Sequence, residues 1–479
     1  MSDDLLFMSA IEATSLIKRR KLSTVEYVGA VLDATEASQP KLNAFVTICR
    51  DQAMTLAKAA DAAVRQGDKL GPLHGVPVSI KDLVDTAGIR TAHGSHIFAD
   101  NVPKQDAAAV VRLKAAGAIV IGKTTTPEFG HKGLTDSPLT GTTRNPWALD
   151  RTPGGSSGGA AAAIAAGLAP LALGTDGAGS IRGPAACTGI VGLKPTLGMV
   201  PMEGAADVFA NNSYAGPMTR TIADAWLMLA AIAGPDPRDP WTMRGAGLDA
   251  VAPVLAGARL TGVRIGYVRR MANRLVDAEV QAATDAALSL FHALGADVEE
   301  ITEAVDWIEY EGRVLYQSAI WAKNEPRFKD WRSKMDPSLI AFAEWGSAFS
   351  MVDVRNAEYA RTGLYHRVSG LLDRYDFLVS PTTARPPLDA NFKATEQVII
   401  NNQTAGITRQ SWTAYQYPFN LTGHPALSLP AGWTRDGLPI GLQIVGRWWG
   451  DADVLRLGAI FEQAKPWADK RPPIANRRA

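Results

Sequence analysis

The sequence predicts an α/β fold: a single large α/β/α domain with a mixed, mostly parallel and twisted central sheet, covered by helices on both faces. Two observations predict this class. The chain has 479 residues, 46% of them hydrophobic, which is enough to bury a large core. Short apolar stretches typical of strands also alternate with helical stretches. This alternation favours parallel strands with helices on both sides of the sheet.

Residues 1–70 are predicted to form a helical cover. Ser23 and Glu26 have the spacing of a capping box, in which each side chain satisfies a free backbone N–H of the other. Apolar residues then recur at helical spacing through Val28 and Leu32. A helix is therefore predicted to begin just after Ser23.

Residues 71–235 are predicted to form the core segment, in which strands and helices alternate. A second unit with the same alternation follows later in the chain. Gly117 marks the end of the predicted helix that begins at residue 106. The predicted elements are a strand at 75–82, a helix at 106–117, a strand at 118–124, and then a strand at 263–268, a helix at 277–295 and a strand at 296–300.

Residues 236–410 are predicted to be a variable region, and residues 411–479 a C-terminal core segment. Residues 235–260 begin with a proline-rich turn and are the best candidate for a connecting excursion. The stretch 305–350 is rich in tryptophan, which predicts a helical layer over one end of the sheet. Its tryptophans are Trp307, Trp321, Trp331 and Trp345.

The composition favours small-molecule chemistry in a reducing compartment. The formal net charge of +1 argues against a protein that coats nucleic acid or an anionic membrane. Two cysteines are too few for a disulfide scaffold. The first residues lack the pattern of a secretory signal, so we expect a cytoplasmic protein without nucleic-acid or membrane partners. A homodimer stays open.

Two glycine-rich loops, residues 152–163 and 174–186, need a chemical explanation. Clusters of glycine occur where the backbone must approach a ligand closely or adopt a positive φ. A Walker phosphate loop needs Lys-Ser or Lys-Thr after its last glycine, and neither loop has it. A dinucleotide fingerprint fits poorly, because the third glycine, Gly183, lies one position late.

An activated serine explains these loops better than a phosphate site. Ser157 matches the apex of a G-x-S-x-G elbow, but no strand directly precedes it, and the later histidines have no evident acidic partner in the sequence. Those histidines are His292, His366 and His424. The other explanation is a serine whose base is a buried, neutral lysine. Lys81, at the end of an apolar strand, is the candidate.

Several separated motifs resemble the amidase signature family, densely over residues 70–235 and moderately over 415–450. The motifs are GVPVSIKD at 75–82, AGAIVIGKTTTPEFG at 116–130, GGSSGG at 154–159, GTDGAGSIRGPA at 174–185, TGIVGLKPTLGMVP at 188–201, GPMTRTIADA at 216–225, LTGHPALSLPAGW at 421–433 and GLPIGLQIVG at 437–446. Two departures are modest: GKTT replaces the frequent GKTN at 122–125, and Ala178 replaces a frequent glycine, which trims the acyl pocket.

The resemblance implies a Ser-cisSer-Lys triad and no cofactor or metal. Ser180 would be the nucleophile, Ser156, after a cis peptide bond, the proton relay, and Lys81 the base. The backbone N–H groups of Gly177, Ala178, Gly179 and Ser180 would form the oxyanion hole. Ser157, Asp176 and Arg182 would support these loops by hydrogen bonds. The implied activity is hydrolysis of a small-molecule amide or a related C–N bond through an acyl-enzyme.

Alternatives to this activity stay open. Within the resemblance they are the glutamine-hydrolysing subunit of a tRNA-dependent amidotransferase, and a carbamate, hydrazide or ester hydrolase. A nucleotide-binding module is a remote alternative from another class. The aromatic-rich stretch 305–350 favours a bulky, apolar or aryl substrate, with one or two residues among its tryptophans, Tyr316 and Trp412 lining the pocket.

Some candidate residues also have an ordinary structural interpretation. Lys81 alone could be an ion-paired lysine, with Asp82 or Asp85 as its partner. His93 and His96 are better explained by local hydrogen bonds than by a metal. Cys187 is expected to be a packed thiol rather than a nucleophile.

Overall fold

The computed structural model describes residues 3–210, 212–242 and 258–475. Its centre is a sheet of eleven strands. In chain order they are β1 (Phe45–Ile48), β2 (Pro77–Lys81), β3 (Ile119–Thr124), β4 (Leu171–Asp176), β5 (Val191–Lys194), β6 (Tyr214–Thr219), β7 (Arg264–Tyr267), β8 (Asp297–Glu300), β9 (Phe377–Pro381), β10 (Ala426–Trp433) and β11 (Pro439–Val445). Their order across the sheet is β1-β3-β2-β4-β6-β5-β10-β11-β9-β7-β8.

The predicted class, a mixed sheet between helical layers, is confirmed, but the expectation of a mostly parallel sheet needs correction. Of the ten neighbouring pairs within the described sheet, four are parallel and six antiparallel. The parallel pairs lie where strand and helix alternate. In the middle, β6 runs antiparallel to both of its neighbours, and β10 and β11 form a hairpin. Alternation identifies strands, whereas strand direction depends on long-range pairing.

Fourteen α-helices are found in the described ranges. They are α1 (Asp3–Leu6), α2 (Ala10–Lys18), α3 (Thr24–Leu42), α4 (Arg50–Gln66), α5 (Ala108–Ala115), α6 (Gly158–Ala165), α7 (Arg182–Thr188), α8 (Ile222–Ile232), α9 (Ala278–Ala293), α10 (Glu309–Trp331), α11 (Pro337–Ser347), α12 (Met351–Arg374), α13 (Tyr417–Thr422) and α14 (Asp451–Ala464). Helices α5, α8, α9 and α14 pack on one face of the sheet, and α3, α4 and α6 on the other. None of the helices in the described ranges combines the length and apolar character that crossing a bilayer requires.

The predicted elements that frame the site are confirmed with small shifts at their ends. Ser23 caps α3, its side chain accepting a hydrogen bond from the N–H of Glu26. The two predicted strand–helix–strand units correspond to β2-α5-β3 and β7-α9-β8. The N-terminal cover is not purely helical, because β1 joins the edge of the sheet beside β3. The predicted layer at 305–350 is helical, and residues 243–257 of the predicted excursion lie outside the described residues.

The alternation of side chains along β2 positions Lys81. Val78 and Ile80 point into the core cluster on the α5 side of the sheet. Lys81, one residue on, points to the opposite face, where the start of α6 lies. A charged residue at this end of a fully buried strand therefore reaches the first glycine-rich loop rather than solvent.

Candidate active site

Lys81 lies at the centre of a buried hydrogen-bond cluster formed by β2, β4 and the first glycine-rich loop. Its Nζ is 2.8 Å from Ser156 Oγ, 2.8 Å from Ser157 Oγ and 3.3 Å from the carbonyl oxygen of Thr175. Its side chain is completely buried. Asp82 and Asp85 do not pair with Lys81, so the alternative of an ordinary ion-paired lysine is not what the structure shows.

Burial lowers the pKa of Lys81 well below its ordinary value, and the negative charge of Asp176 opposes this shift only in part. The physical cause is the loss of hydration, which destabilises the charged ammonium form more than the neutral amine. A neutral amine can accept a proton from a hydroxyl group. The lysine therefore has the electrostatic environment that a general base requires.

The loop that carries Ser156 is held against the rest of the core by its glycines. The Gly155–Ser156 peptide bond is cis, as the resemblance implies. A Cβ atom on Gly155 would overlap the backbone of Leu134. Thr135, which the sequence analysis did not identify, anchors the loop: its Oγ1 donates to the carbonyl oxygen of Gly154 at 2.8 Å and accepts from the N–H of Gly158 at 3.1 Å.

Ser157 is a support of this cluster and lacks a histidine partner. Its Oγ donates to the carbonyl oxygen of Thr175 at 3.0 Å and accepts from Lys81. The elbow alternative needs a histidine beside the serine, and His424 instead contacts Thr422. Ser157 therefore ties the first loop to the end of β4.

Within the second glycine-rich loop, residues 177–180 wrap around the carboxylate of Asp176. Asp176 Oδ1 accepts from the N–H of Gly179 at 2.6 Å, and Oδ2 accepts from the N–H of Ile181 at 3.1 Å. This corrects the predicted oxyanion hole, because the Gly179 N–H already has an acceptor. Within the described chain, the N–H groups of Gly177, Ala178 and Ser180 donate to no protein acceptor.

Arg182 and Asp176 form a fully buried ion pair beneath the second loop. Arg182 Nε donates to Asp176 Oδ2 at 3.0 Å, and Nη2 donates to Oδ1 at 3.1 Å. Burial alone would raise the pKa of Asp176, but the charge of Arg182 and hydrogen bonds from Arg182 and Asn420 outweigh it and lower the pKa. Gln443 accepts from Arg182 Nη1 at 2.7 Å. The C-terminal segment thus supplies two supports, Asn420 and Gln443, that the sequence analysis missed.

We predict that Asp176→Asn lowers the free energy of unfolding by about 3 kcal/mol, because it leaves the buried guanidinium of Arg182 without a counter-charge. Since the native pKa of Asp176 is lowered, this contribution is present above the ordinary aspartate pKa and is lost as the pH falls through the native value. Urea unfolding at neutral pH measures the change. Glu344→Gln, at an exposed ion pair with Arg332, is the control and should change stability by less than about 1 kcal/mol.

Ser180 lies in the wall of a cavity that adjoins the lysine cluster. Its side chain is partly exposed, and its carbonyl oxygen accepts from the N–H of Ser157 at 3.1 Å. Gly155 and Ala178 line the same cavity. The structure therefore joins Lys81 to Ser156 directly and brings Ser180 to the neighbouring wall, without a hydrogen bond between the Ser180 and Ser156 hydroxyl groups.

The cavity has a volume of about 50 Å³ and is more polar than the sequence predicts. Three of its lining residues, Lys132, Arg313 and Arg409, have cationic side chains, and none of the lining residues that the structure describes is acidic. Tyr316, one of the aromatic residues considered for the pocket from the sequence, lines it. The tryptophans of 305–350 and Trp412 are absent from this wall. The lining residues are His131, Lys132, Gly133, Gly155, Ala178, Ser180, Arg313, Tyr316, Gln317, Phe342, Ile407, Thr408, Arg409, Thr413 and Gln416.

The remaining candidates have structural surroundings. His93 stacks edge-on against Phe98, and burial lowers its pKa to about 4. In the described parts of the chain, no group of three or more His, Cys, Asp or Glu side chains is arranged to hold a metal ion. Cys187 is buried in an apolar cluster, and burial raises the pKa of its thiol, which makes a thiolate nucleophile unfavourable.

The α/β fold holds a buried lysine that is hydrogen-bonded to two serines beside a cavity. These are features of a hydrolase. The family model for Amidase matches residues 26–455. The chain belongs to the amidase signature family, and it is an amidase, a hydrolase that acts on C–N bonds.

Relatives with full-length similarity include members of two groups. An acylamidase of Rhodococcus erythropolis is 40% identical, covering 98% of each chain. The second group includes a glutamyl-tRNA(Gln) amidotransferase subunit from Acidothermus cellulolyticus, which is 36% identical, covering 96% of this chain and 95% of the relative. Among solved structures, a bacterial aryl acylamidase of the amidase signature family superimposes with a TM-score of 0.90 at 30% identity, covering 99% of each chain.

Proposed function

We propose that this amidase cleaves a carboxylic amide through an acyl-enzyme on Ser180, with Ser156 as the proton relay and neutral Lys81 as the base. The observation that carries the proposal is the completely buried Lys81, with its Nζ 2.8 Å from Ser156 Oγ. A base must lie within hydrogen-bond reach of the proton that it accepts, directly or through a relay. Lys81 meets this condition for Ser156.

In the first half of the reaction, Ser180 Oγ attacks the amide carbonyl carbon. Its proton passes to Ser156 Oγ while the proton of Ser156 passes to Lys81 Nζ. The carbonyl oxygen becomes an oxyanion, which accepts hydrogen bonds from the free N–H groups of Gly177, Ala178 and Ser180. Ala178, on the cavity wall, narrows the space for the acyl group.

The C–N bond then breaks, and the leaving nitrogen receives the proton back through Ser156, so the departing amine is neutral. Water next attacks the acyl ester and gives its proton to the same relay. Cleavage of the ester returns a proton to Ser180 and releases the carboxylic acid. Ser157, Asp176 and Arg182 hold the two loops in position. A small-molecule amide is the only partner that this mechanism requires.

We also propose that the chain works as one domain in the four segments predicted from sequence, 1–70, 71–235, 236–410 and 411–479. Contacts across the segments support this, since Asn420 from the last segment donates to Asp176 of the second at 2.8 Å. Cytoplasmic location and a homodimer stay predictions from the sequence.

The cavity favours an acyl or aryl amide over glutamine as the substrate. Glutamine carries an α-ammonium group as well as a carboxylate, and the basic wall, with no acidic side chain among its described residues, offers that ammonium no counter-charge. The names of the acylamidase and aryl acylamidase relatives support the same choice. Carbamates, hydrazides and esters remain alternatives that a substrate panel distinguishes, whereas the nucleotide-binding alternative is set aside because the chain is an amidase.

We expect kcat/KM for glutamine to be at least about 100-fold below that for the best anilide in a panel of anilides, aliphatic amides, carbamates, hydrazides, esters and glutamine. Release of amine or ammonia is the measurement. Glutaramate, which is glutamine without the ammonium group, is the matched control and should react faster than glutamine. The proposal of an acylamidase would be wrong if glutamine were the best substrate.

A further inference from the structure

Arg409 is a feature of the cavity that the mechanism above does not use. It lines the same cavity as Ser180, and its side chain is partly exposed. The central carbon of its guanidinium group lies 3.7 Å from the centre of the Tyr316 ring. At this distance the cation packs directly on the aromatic ring, which stabilises it by a cation–π interaction.

Hydrogen bonds hold in place both the ring of Tyr316 and the backbone that carries Arg409. The hydroxyl group of Tyr316 donates to the carbonyl oxygen of His131 at 2.8 Å. Arg409 lies in a tight turn in which the N–H of Thr413 donates to the carbonyl oxygen of Thr408 at 2.9 Å, and Ser411 Oγ donates to that of Ile407 at 2.9 Å. The guanidinium group is therefore positioned before any ligand enters, which reduces the entropy cost of binding.

The basic residues of the wall differ in how their charges are compensated. Lys132 donates to both Asp136 and Asp336, at 2.8 and 2.7 Å. Arg313 donates to Glu309 at 2.7 Å.

Arg409 is the exception. It has no carboxylate within 4 Å among the residues that the structure describes, whereas both of the other lining cations do. The cavity thus contains a fixed positive charge without a counter-charge.

We propose that Arg409 binds a carboxylate group of the amide substrate. A guanidinium group is planar, and its fork of N–H groups matches the two oxygens of a carboxylate. One uncompensated positive charge fits a monoanion better than a phosphate dianion. The inference rests on the proposed amidase site at Ser180 and adds the substrate class: amides with a carboxylate on the acyl or the amine side.

The first test is binding to the Ser180→Ala variant, which does not depend on turnover. The ligands are 4-acetamidobenzoate and its neutral methyl ester, titrated by calorimetry. We expect the carboxylate to bind about 10-fold more tightly, and this preference to disappear when Arg409→Gln is added. Equal binding of the two ligands would overturn the proposal, and so would tighter binding of the dianion 4-acetamidophenyl phosphate.

The second test is kinetic and uses two pairs of matched substrates. Glutaryl p-nitroanilide has a carboxylate on the acyl side, which hexanoyl p-nitroanilide lacks. 4-Acetamidobenzoate has a carboxylate on the amine side, which its methyl ester masks. We expect kcat/KM to favour the carboxylate about 10-fold in at least one pair, and the ratio to fall to about one in Arg409→Gln. Arg409→Lys should keep only part of the ratio, because lysine lacks the planar fork.

The control removes another cavity cation without changing net charge. In the double variant Glu309→Gln with Arg313→Gln, the ratio should stay within about twofold of the wild-type ratio. A loss as large as that of Arg409→Gln would overturn the assignment to Arg409. Carboxylate binding without hydrolysis of either pair would contradict the proposed catalytic site, whereas hydrolysis with no carboxylate preference would contradict only this inference.

Discussion

Replacement of Lys81 by methionine is expected to lower kcat by about 10⁴-fold while the chain still folds. Methionine fills nearly the same volume as lysine but has no group that accepts a proton. Ser156 would then lose the base to which it is hydrogen-bonded at 2.8 Å. The measurement is kcat on a p-nitroanilide, with thermal unfolding recorded on the same sample.

The pH dependence gives the same prediction a second readout. Protonated Lys81 cannot accept a proton, so wild-type kcat/KM should rise with pH and level off above the pKa of Lys81. Burial lowers that pKa, so the plateau should begin well below 10.5, the ordinary value for lysine. In Lys81→Met the rise should vanish from the residual activity. A wild-type profile that falls above neutrality would contradict a lysine base.

Lys123 offers a matched control for Lys81. It is also completely buried, lies on the neighbouring strand β3, and donates to Thr86 Oγ1 at 3.0 Å and Thr91 Oγ1 at 2.8 Å instead of to a serine of the loop. Burial lowers its pKa to about 8. Lys123→Met should lower the melting temperature but change kcat by less than about 10-fold. An equal loss of kcat in both variants would show that burial of a lysine, and not its role as a base, explains the first result.

The fold could be predicted where local patterns specify it. The apolar stretch ending at Lys81 and the helix ending before Gly117 are local signals, and both elements are present. The direction of β6 is set by pairing with β4 and β5, and the hairpin of β10 and β11 occupies the middle of the sheet. No local pattern specifies such pairing, which explains why the parallel share was overestimated.

The candidate site could be predicted in its lysine and serines but not in its substrate wall. Lys81, Ser156 and Ser180 lie in glycine-rich or strand motifs that stand out in the sequence. Apart from the two glycine-rich loops, the wall is assembled from four distant places, 131–133, 313–317, Phe342 and 407–416, none of which has a motif of its own. Two of the predicted tryptophans follow the general rule that large aromatic residues fill cores: Trp307 is buried, and Trp412 is packed in a cluster beside the cavity. Trp345, in contrast, is exposed.

Gly179, in the second glycine-rich loop, shows at a single residue what the sequence could not predict. The family resemblance predicts Gly179, in this glycine-rich loop, as a hydrogen-bond donor to the substrate. In the structure its φ is +109°, and a Cβ atom would overlap the side-chain amide of Gln416. Its N–H donates to Asp176 at 2.6 Å. Glycine is needed here for the conformation and the close packing of the loop, a requirement that sequence alone does not separate from catalysis.

Replacement of Ser180 by alanine is expected to lower kcat by about 10⁶-fold and to abolish covalent acylation. Without Oγ at this wall of the cavity, no group remains to form the ester. The measurement is intact-protein mass after mixing with an activated acyl donor such as a p-nitrophenyl ester. The wild-type protein should gain the mass of one acyl group, and the variant should gain none.

Ser156→Ala separates the nucleophile from the relay. It keeps Ser180 but removes the hydroxyl group proposed to relay its proton to Lys81, so an activated ester should still acylate the variant, about 100-fold more slowly or slower still. Peptide mapping of the slow adduct should place the acyl group on Ser180. An adduct on Ser156 in the wild-type protein, or normal acylation of Ser180→Ala, would reverse the assignment, because the serine that carries the acyl group is the one that attacked the carbonyl carbon.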